Sequence, residues 1–124
     1  MSLSHEEARP PEPSLSPRAR AAIQRAYGSF VNLTADEMER VWKQAHAPLA
    51  PVPALPMVSD SLCQLATLQR KRTGELTDED HRLMGRAATV IRDLLDARPP
   101  GDVEHSAWRT RLMLLGHDPL RHRF

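Results

Sequence analysis

The sequence has a single cysteine, Cys63, so it can form neither an intramolecular disulfide nor a cysteine-rich zinc module. A reducing compartment fits that usage. It also lacks any uninterrupted apolar run long enough to cross a bilayer, and Glu6, Glu7 and Glu12 stand among prolines and serines where a signal peptide needs an apolar stretch. The expectation is a soluble, cytoplasmic protein with no membrane contact. Aromatic residues are 4% of the chain and glycines number five against eleven prolines, which disfavours sheet and favours helices separated by stiff connectors. A surplus of one charge is missing too. With 17 basic and 16 acidic residues the formal net charge is +1, so no global field draws the chain to nucleic acid or anionic lipid, and any basic surface is local. There is no glycine-rich phosphate loop, no paired catalytic carboxylates on a cleft pattern, no Gly-x-Ser-x-Gly and no internal repeat. Catalysis is not expected.

What is present reads as one all-α domain of about five helices, residues 17–124, behind a disordered N-terminal tail, residues 1–16. The tail holds Pro10, Pro11 and Pro13 and too few large apolar side chains to offset the entropy of ordering it. Ser16 then stands as an N-cap with Pro17 at the first helical position, and Ile23, Ala26, Tyr27 and Phe30 recur at helical spacing to about Val31. Thr34-Ala35-Asp36-Glu37 is a capping box that opens a second helix with Met38, Val41, Trp42 and Ala45 on its apolar stripe. Pro48, Pro51, Pro53 and Pro56 make residues 47–57 an extended, polyproline-like crossover. Ser59 or Ser61 can cap a third helix, with Leu62, Leu65, Ala66 and Leu68 inward and Arg70-Lys71-Arg72 in its last turn before Gly74.

Thr77 caps the fourth helix. At about 100° per residue, Leu83, Met84, Ala87, Ala88, Val90, Ile91, Leu94 and Leu95 fall within an arc of roughly 160°, which makes this the central core helix. Pro99-Pro100-Gly101 ends it, and Asp102 or Ser106 caps a last helix carrying Trp108, Leu112 and Leu115, stopped at Gly116 and followed by His117-Asp118-Pro119.

Three blocks carry a resemblance. They are Val31-Asn32-Leu33-Thr34 with Glu37-Met38-Glu39; the basic run Arg70-Lys71-Arg72 leading to Leu76-Thr77-Asp78-Glu79-Asp80; and Arg98-Pro99, Gly101-Asp102-Val103-Glu104, Ser106-Ala107-Trp108-Arg109, Leu112-Met113 and Gly116-His117-Asp118-Pro119-Leu120. In this order they resemble a bacterial family of unknown function, domain of unknown function 3140, some of whose members bear a DNA-binding label. The resemblance implies a DNA-associated role. The chain departs from the family between the first two blocks, where a Gly-His segment and a Ser-Gly-Arg-Arg start give way to prolines and to Cys63 and Gln64.

The candidate anion-binding residues are Arg109, Arg111, Arg121 and Arg123 at the C-terminus, with Arg70, Lys71 and Arg72 second. Each set has a structural reading as well. Cations in a last turn complement the helix dipole, and three consecutive residues point about 100° apart. Arg109 and Arg111 project about 160° apart, so one flat surface needs help from the chain end. Arg82 and Arg86 read as a solvated face, with Asp78 able to pair with Arg82. Glu104, His105, His117 and Asp118 have metal-ligand chemistry but no closed-site spacing, and His117 reads better as a donor to freed helix-end carbonyls. His46 and His81 read as isolated surface residues, Cys63 as a small buried hydrophobe, Trp42 and Trp108 as core. The residues therefore point to a small non-enzymatic binding protein without metal or cofactor, touching duplex DNA by weak, non-specific phosphate contacts. The alternative is a protein-interaction or homo-oligomerising module that uses the proline-rich crossover and leftover apolar helix surface to hold a protein partner or second copy.

Overall fold

A computed structural model of the protein describes residues 14–45 and 59–121. Most of the expected tail, the proline-rich crossover, His46 and Arg123 lie outside these. Five α-helices and one 3₁₀ turn make up the regular structure, and among the described residues there is no strand and no helix long and apolar enough to cross a membrane. The all-α expectation holds.

Helix α1 is Pro17–Phe30. Ser16 Oγ accepts the Ala19 amide at 3.1 Å and Pro17 takes the first position, where its missing N–H costs nothing. Leu15, two residues before it, is already held, because its amide donates to Asp78 at 3.2 Å. Helix α2, Ala35–Ala45, opens on the capping box: Thr34 Oγ1 accepts the Glu37 amide at 3.2 Å, and Glu37 Oε1 accepts the Thr34 amide at 2.8 Å. Helix α3 is Ser59–Leu68 and helix α4 is Asp78–Asp96, the latter opened by a second reciprocal box between Thr77 and Asp80 at 3.0 and 3.1 Å. Helix α5, Ala107–Leu114, is capped by Ser106.

The apolar arc of α4 faces the centre. Leu83, Met84, Ala87, Ala88 and Ile91 are buried, and Val90, Leu94 and Leu95 pack half-buried at the margin. Around them stand Tyr27, Met38, Leu62, Leu65, Leu112 and Leu115, each contributing roughly 1.5–3 kcal/mol for the apolar surface it removes from water. Trp108 is 6% exposed, its indole N–H donates to the Leu94 carbonyl, and the Arg98 guanidinium lies 5.4 Å from its ring centre. Helices α1 and α4 lie side by side and run the same way, since Arg20 and Gln24 meet Asp78 and His81 while Phe30 lies level with Arg92. The chain reaches that parallel pairing by way of α2 and α3, which pack on each other, α2 also on α5 and α3 on α4.

Three expectations are corrected. Helix α3 stops at Leu68, so Arg70, Lys71 and Arg72 are not in its last turn and lie instead in the turn leading to the 3₁₀ segment Thr73–Glu75. His81 is 1% exposed, not a surface residue. Its Nδ1–H donates to the Thr77 carbonyl at 2.7 Å and its Nε2 accepts from the Gln24 amide at 2.8 Å, so partners on two helices replace the water it loses. Cys63 is half-buried and shares a shallow depression with Thr67 and Lys71.

Candidate interaction surface

The Gly116-His117-Asp118 segment forms a clip. Gly116 has φ +102°, which lets the chain reverse so that the His117 and Gly116 amides donate to the Leu112 and Met113 carbonyls, each at 3.0 Å, the paired bonds of a Schellman stop. A Cβ at this glycine would also stand 3.2 Å from Tyr27 Oη and 3.4 Å from Met38 Sδ. The reversed strand then lies against the α1–α2 corner. The Gly116 carbonyl accepts from the Asn32 and Leu33 amides, and the Asn32 side chain brackets Asp118 by accepting its amide at 2.7 Å and donating to its carbonyl at 3.0 Å. His117 does cap freed carbonyls, but those of another helix: its Nδ1–H donates to the Phe30 carbonyl at the end of α1 at 2.6 Å. Tyr27, from inside, donates to the Leu115 carbonyl at 2.9 Å, and burial pushes its phenol well above the ordinary range although Gln69 donates to it.

The candidate cations are drawn into this framework. Arg109 grips Asp118 with two bonds of 3.0 Å and reaches the Glu104 carbonyl at 2.8 Å. Burial pushes the Asp118 carboxyl up, but Arg109 and the Leu120 amide more than offset it, so the carboxyl lies below the usual range. Arg121 pairs with both oxygens of Glu37 at 2.7 and 2.9 Å and donates to the Asn32 carbonyl. That contact, aided by the Thr34 amide, holds Glu37 down at about 2. Arg70 bridges Glu39 and Asp36, while Lys71 Nζ lies 2.8 Å from Asp80, which is 2% exposed. Arg72 is exposed, and Arg111 is half-buried with its Nε lacking a partner. The structure thus does not gather these residues into one basic face. Four of the six that lie within the described residues face carboxylates of the protein itself. The potential metal donors are dispersed as well: Asp118 belongs to Arg109, His117 to Phe30, and Glu104 and His105 stand exposed, with no cluster of three such groups among the described residues.

A different surface remains open. Between α1 and α4 runs a groove of about 410 Å³ whose floor is Ala22, Ile23, Ala26 and Phe30 on one side and Gly85 and Ala88 on the other. Small residues keep it open: Ala22 and Ala26 lie one turn apart on α1, as do Gly85 and Thr89 on α4. A Cβ at Gly85 would meet only Ile23, at 3.8 Å, so the packing of the two helices does not itself require glycine there. Sequence reasoning missed this surface because Ala88 and Ile23, which do belong to the core and its margin, line the groove as well. The i, i+4 spacing of small residues on both helices was the available signal.

A small helical domain whose polar framework is internal is thereby defined. The profile of a family described as Protein of unknown function (DUF3140) matches residues 26–113, and the chain belongs to that family. No curated protein and no solved structure matches it.

Proposed function

We propose that the chain is a non-enzymatic protein-binding module whose partner docks in the groove between α1 and α4. The observation that carries this is the open apolar floor of that groove, an arrangement that suits an amphipathic helix laid into it. Support comes also from the fate of the candidate cations. An arginine held against a carboxylate brings little net field to a phosphate, and displacing Asp118 or Glu37 to free it costs the fold its clip. Duplex DNA is the second reading. Helix α1 favours it, with exposed Arg18 and Arg25 and no acidic residue.

Amide chemical shifts of the full chain separate the two. An amphipathic helical peptide with a leucine stripe and a glutamine polar face is expected to shift Ala22, Ala26, Gly85 and Thr89, whereas duplex DNA in moderate salt leaves the spectrum unchanged. Salt-sensitive shifts from DNA, together with none from the peptide, would reverse the order of the readings.

A further inference from the structure

We infer that the groove between α1 and α4 selects an acidic amphipathic segment of a protein partner, an inference that rests on the docking reading above. Charge at the rim decides it. Arg18 and Arg25 are seven positions apart on α1 and so project within about 20° of each other, on the line that also carries the groove residues Ala22 and Ser29. Both are exposed, and α1 has no acidic side chain to offset them. On the opposite rim, Arg82 and Arg86 precede Gly85 and Thr89 by three positions each. Arg82 also adds its charge to that of Arg20 beside Asp78, so part of its field is directed inward.

The far end of the groove differs. Arg92 lines it, but Asp93 and Asp96 follow on the same helix, and Asp96 is one turn beyond Arg92. Helix α4 itself opens on Asp78, Glu79 and Asp80, but Asp78 is bonded to Arg20 and Asp80 to Lys71. Exposed Glu79, three positions before Arg82, offsets that arginine, and Arg18, Arg25 and Arg86 leave the first half of the groove net positive. An apolar floor with one basic half matches a helix whose leucine or methionine stripe enters the floor while glutamates or aspartates on its flanks meet Arg18, Arg25 and Arg86. Duplex DNA fits less well, because its phosphates gain nothing from a floor of Ala22, Ile23, Ala26, Phe30 and Ala88.

The test uses the full chain and three designed helical peptides that share one leucine stripe and differ only in the polar face, glutamate, glutamine or lysine. The glutamate peptide is expected to bind about tenfold tighter than the glutamine peptide at low salt, with the advantage shrinking as salt rises, and the lysine peptide weakest. Replacing the exposed Arg18→Glu and Arg25→Glu together is expected to reverse the order of the charged peptides and leave the glutamine peptide unchanged. Gly85→Met, which fills the floor, is expected to weaken all three. Equal binding of the three peptides, lost in the Gly85→Met protein, overturns the acid preference and leaves the docking reading standing. Absence of binding by every peptide, or shifts that fall outside α1 and α4, overturns the docking reading as well. Self-association of the unliganded chain through α1 and α4 would assign the groove to a second copy and overturn the proposal.

Discussion

Removing the Asp118 carboxylate is the sharpest test of the clip. In Asp118→Ala, Arg109 loses both of its 3.0 Å bonds and the Leu120 amide loses its acceptor at 3.0 Å, while the backbone bracket from Asn32 is left in place. The arginine side chain is 23% exposed and the aspartate 9%, so water replaces only part of what Arg109 loses. A fully buried pair broken in this way costs about 3–5 kcal/mol, and the remaining access to solvent lowers the expected loss to about 2–4 kcal/mol. Asp118→Asn keeps one acceptor and is expected to cost about half as much. Chemical denaturation reads this as a lower midpoint at unchanged slope, and hydrogen exchange adds the location. The Asn32 and Leu33 amides, which donate to Gly116, are expected to lose protection well before those of α4. A loss under about 0.5 kcal/mol, a value ordinary for exposed ion pairs, would mean that the Arg109–Asp118 pair does not fasten the chain end.

Other perturbations follow the same logic. Trp108→Ala removes a 6%-exposed indole and its bond to Leu94 and is expected to cost about 3–5 kcal/mol, with an unchanged denaturation midpoint refuting its place in the core. Gly28→Ala, in the last turn of α1 with nothing within 4 Å of the new Cβ, is expected to raise stability by about 0.5 kcal/mol. Gly116→Ala, forced to φ +102° against Tyr27 and Met38, is expected to lower it by about 1–3 kcal/mol, and equal effects of the two alanines would sink the turn argument. Acid should unfold the protein by a predictable route. Glu37, Asp78, Asp80 and Asp118 all lie below their ordinary values in the fold, so their stabilisation is complete above the ordinary carboxylate range and is lost as pH falls from there toward about 2, the value Glu37 reaches. A thermal midpoint that stays level across that acid window would contradict these pairings.

Local signals in the sequence were legible because they involve neighbours a few residues apart. Ser16-Pro17, the Thr34–Glu37 and Thr77–Asp80 boxes, Ser106 and the Gly116 stop each fix a helix end through bonds spanning three to five residues, and each is found where the sequence predicts it. The 3.6-residue period likewise identified the buried face of α4. Partners distant in sequence were not legible. Nothing in Arg121 announces Glu37, and nothing in Arg20 announces Asp78, for which the helical spacing offered Arg82 instead. His81 looked solvated because its environment is made by Gln24, which lies on a different helix. Arg70-Lys71-Arg72 failed for a related reason: once α3 ends at Leu68, helical angles no longer govern where three consecutive side chains point, and they go to separate places.

Counting cations therefore overstated the field at the C-terminus. Among the C-terminal arginines, Arg109 and Arg121 tie the segment 116–121 to the α1–α2 corner, and their charge-reversal variants would place a carboxylate against Asp118 or Glu37. Loss of binding in such variants reports unfolding as readily as a lost contact, so they do not discriminate between a DNA surface and a structural pair. Arg18 and Arg25 are the better probes, because no carboxylate among the described residues is bonded to them and reversing them leaves the clip intact. The same reasoning bears on the family. The blocks that carried the resemblance, around Asn32 and Glu37 and around Trp108 to Asp118, meet in the clip and the core beneath it. Residues of that kind specify how the helices are fastened together, and Gly116 and Asp118 lie beyond the matched residues 26–113. The proposed binding function is therefore assigned to a surface the fastening leaves open, the groove between α1 and α4, which lies partly ahead of the matched residues 26–113.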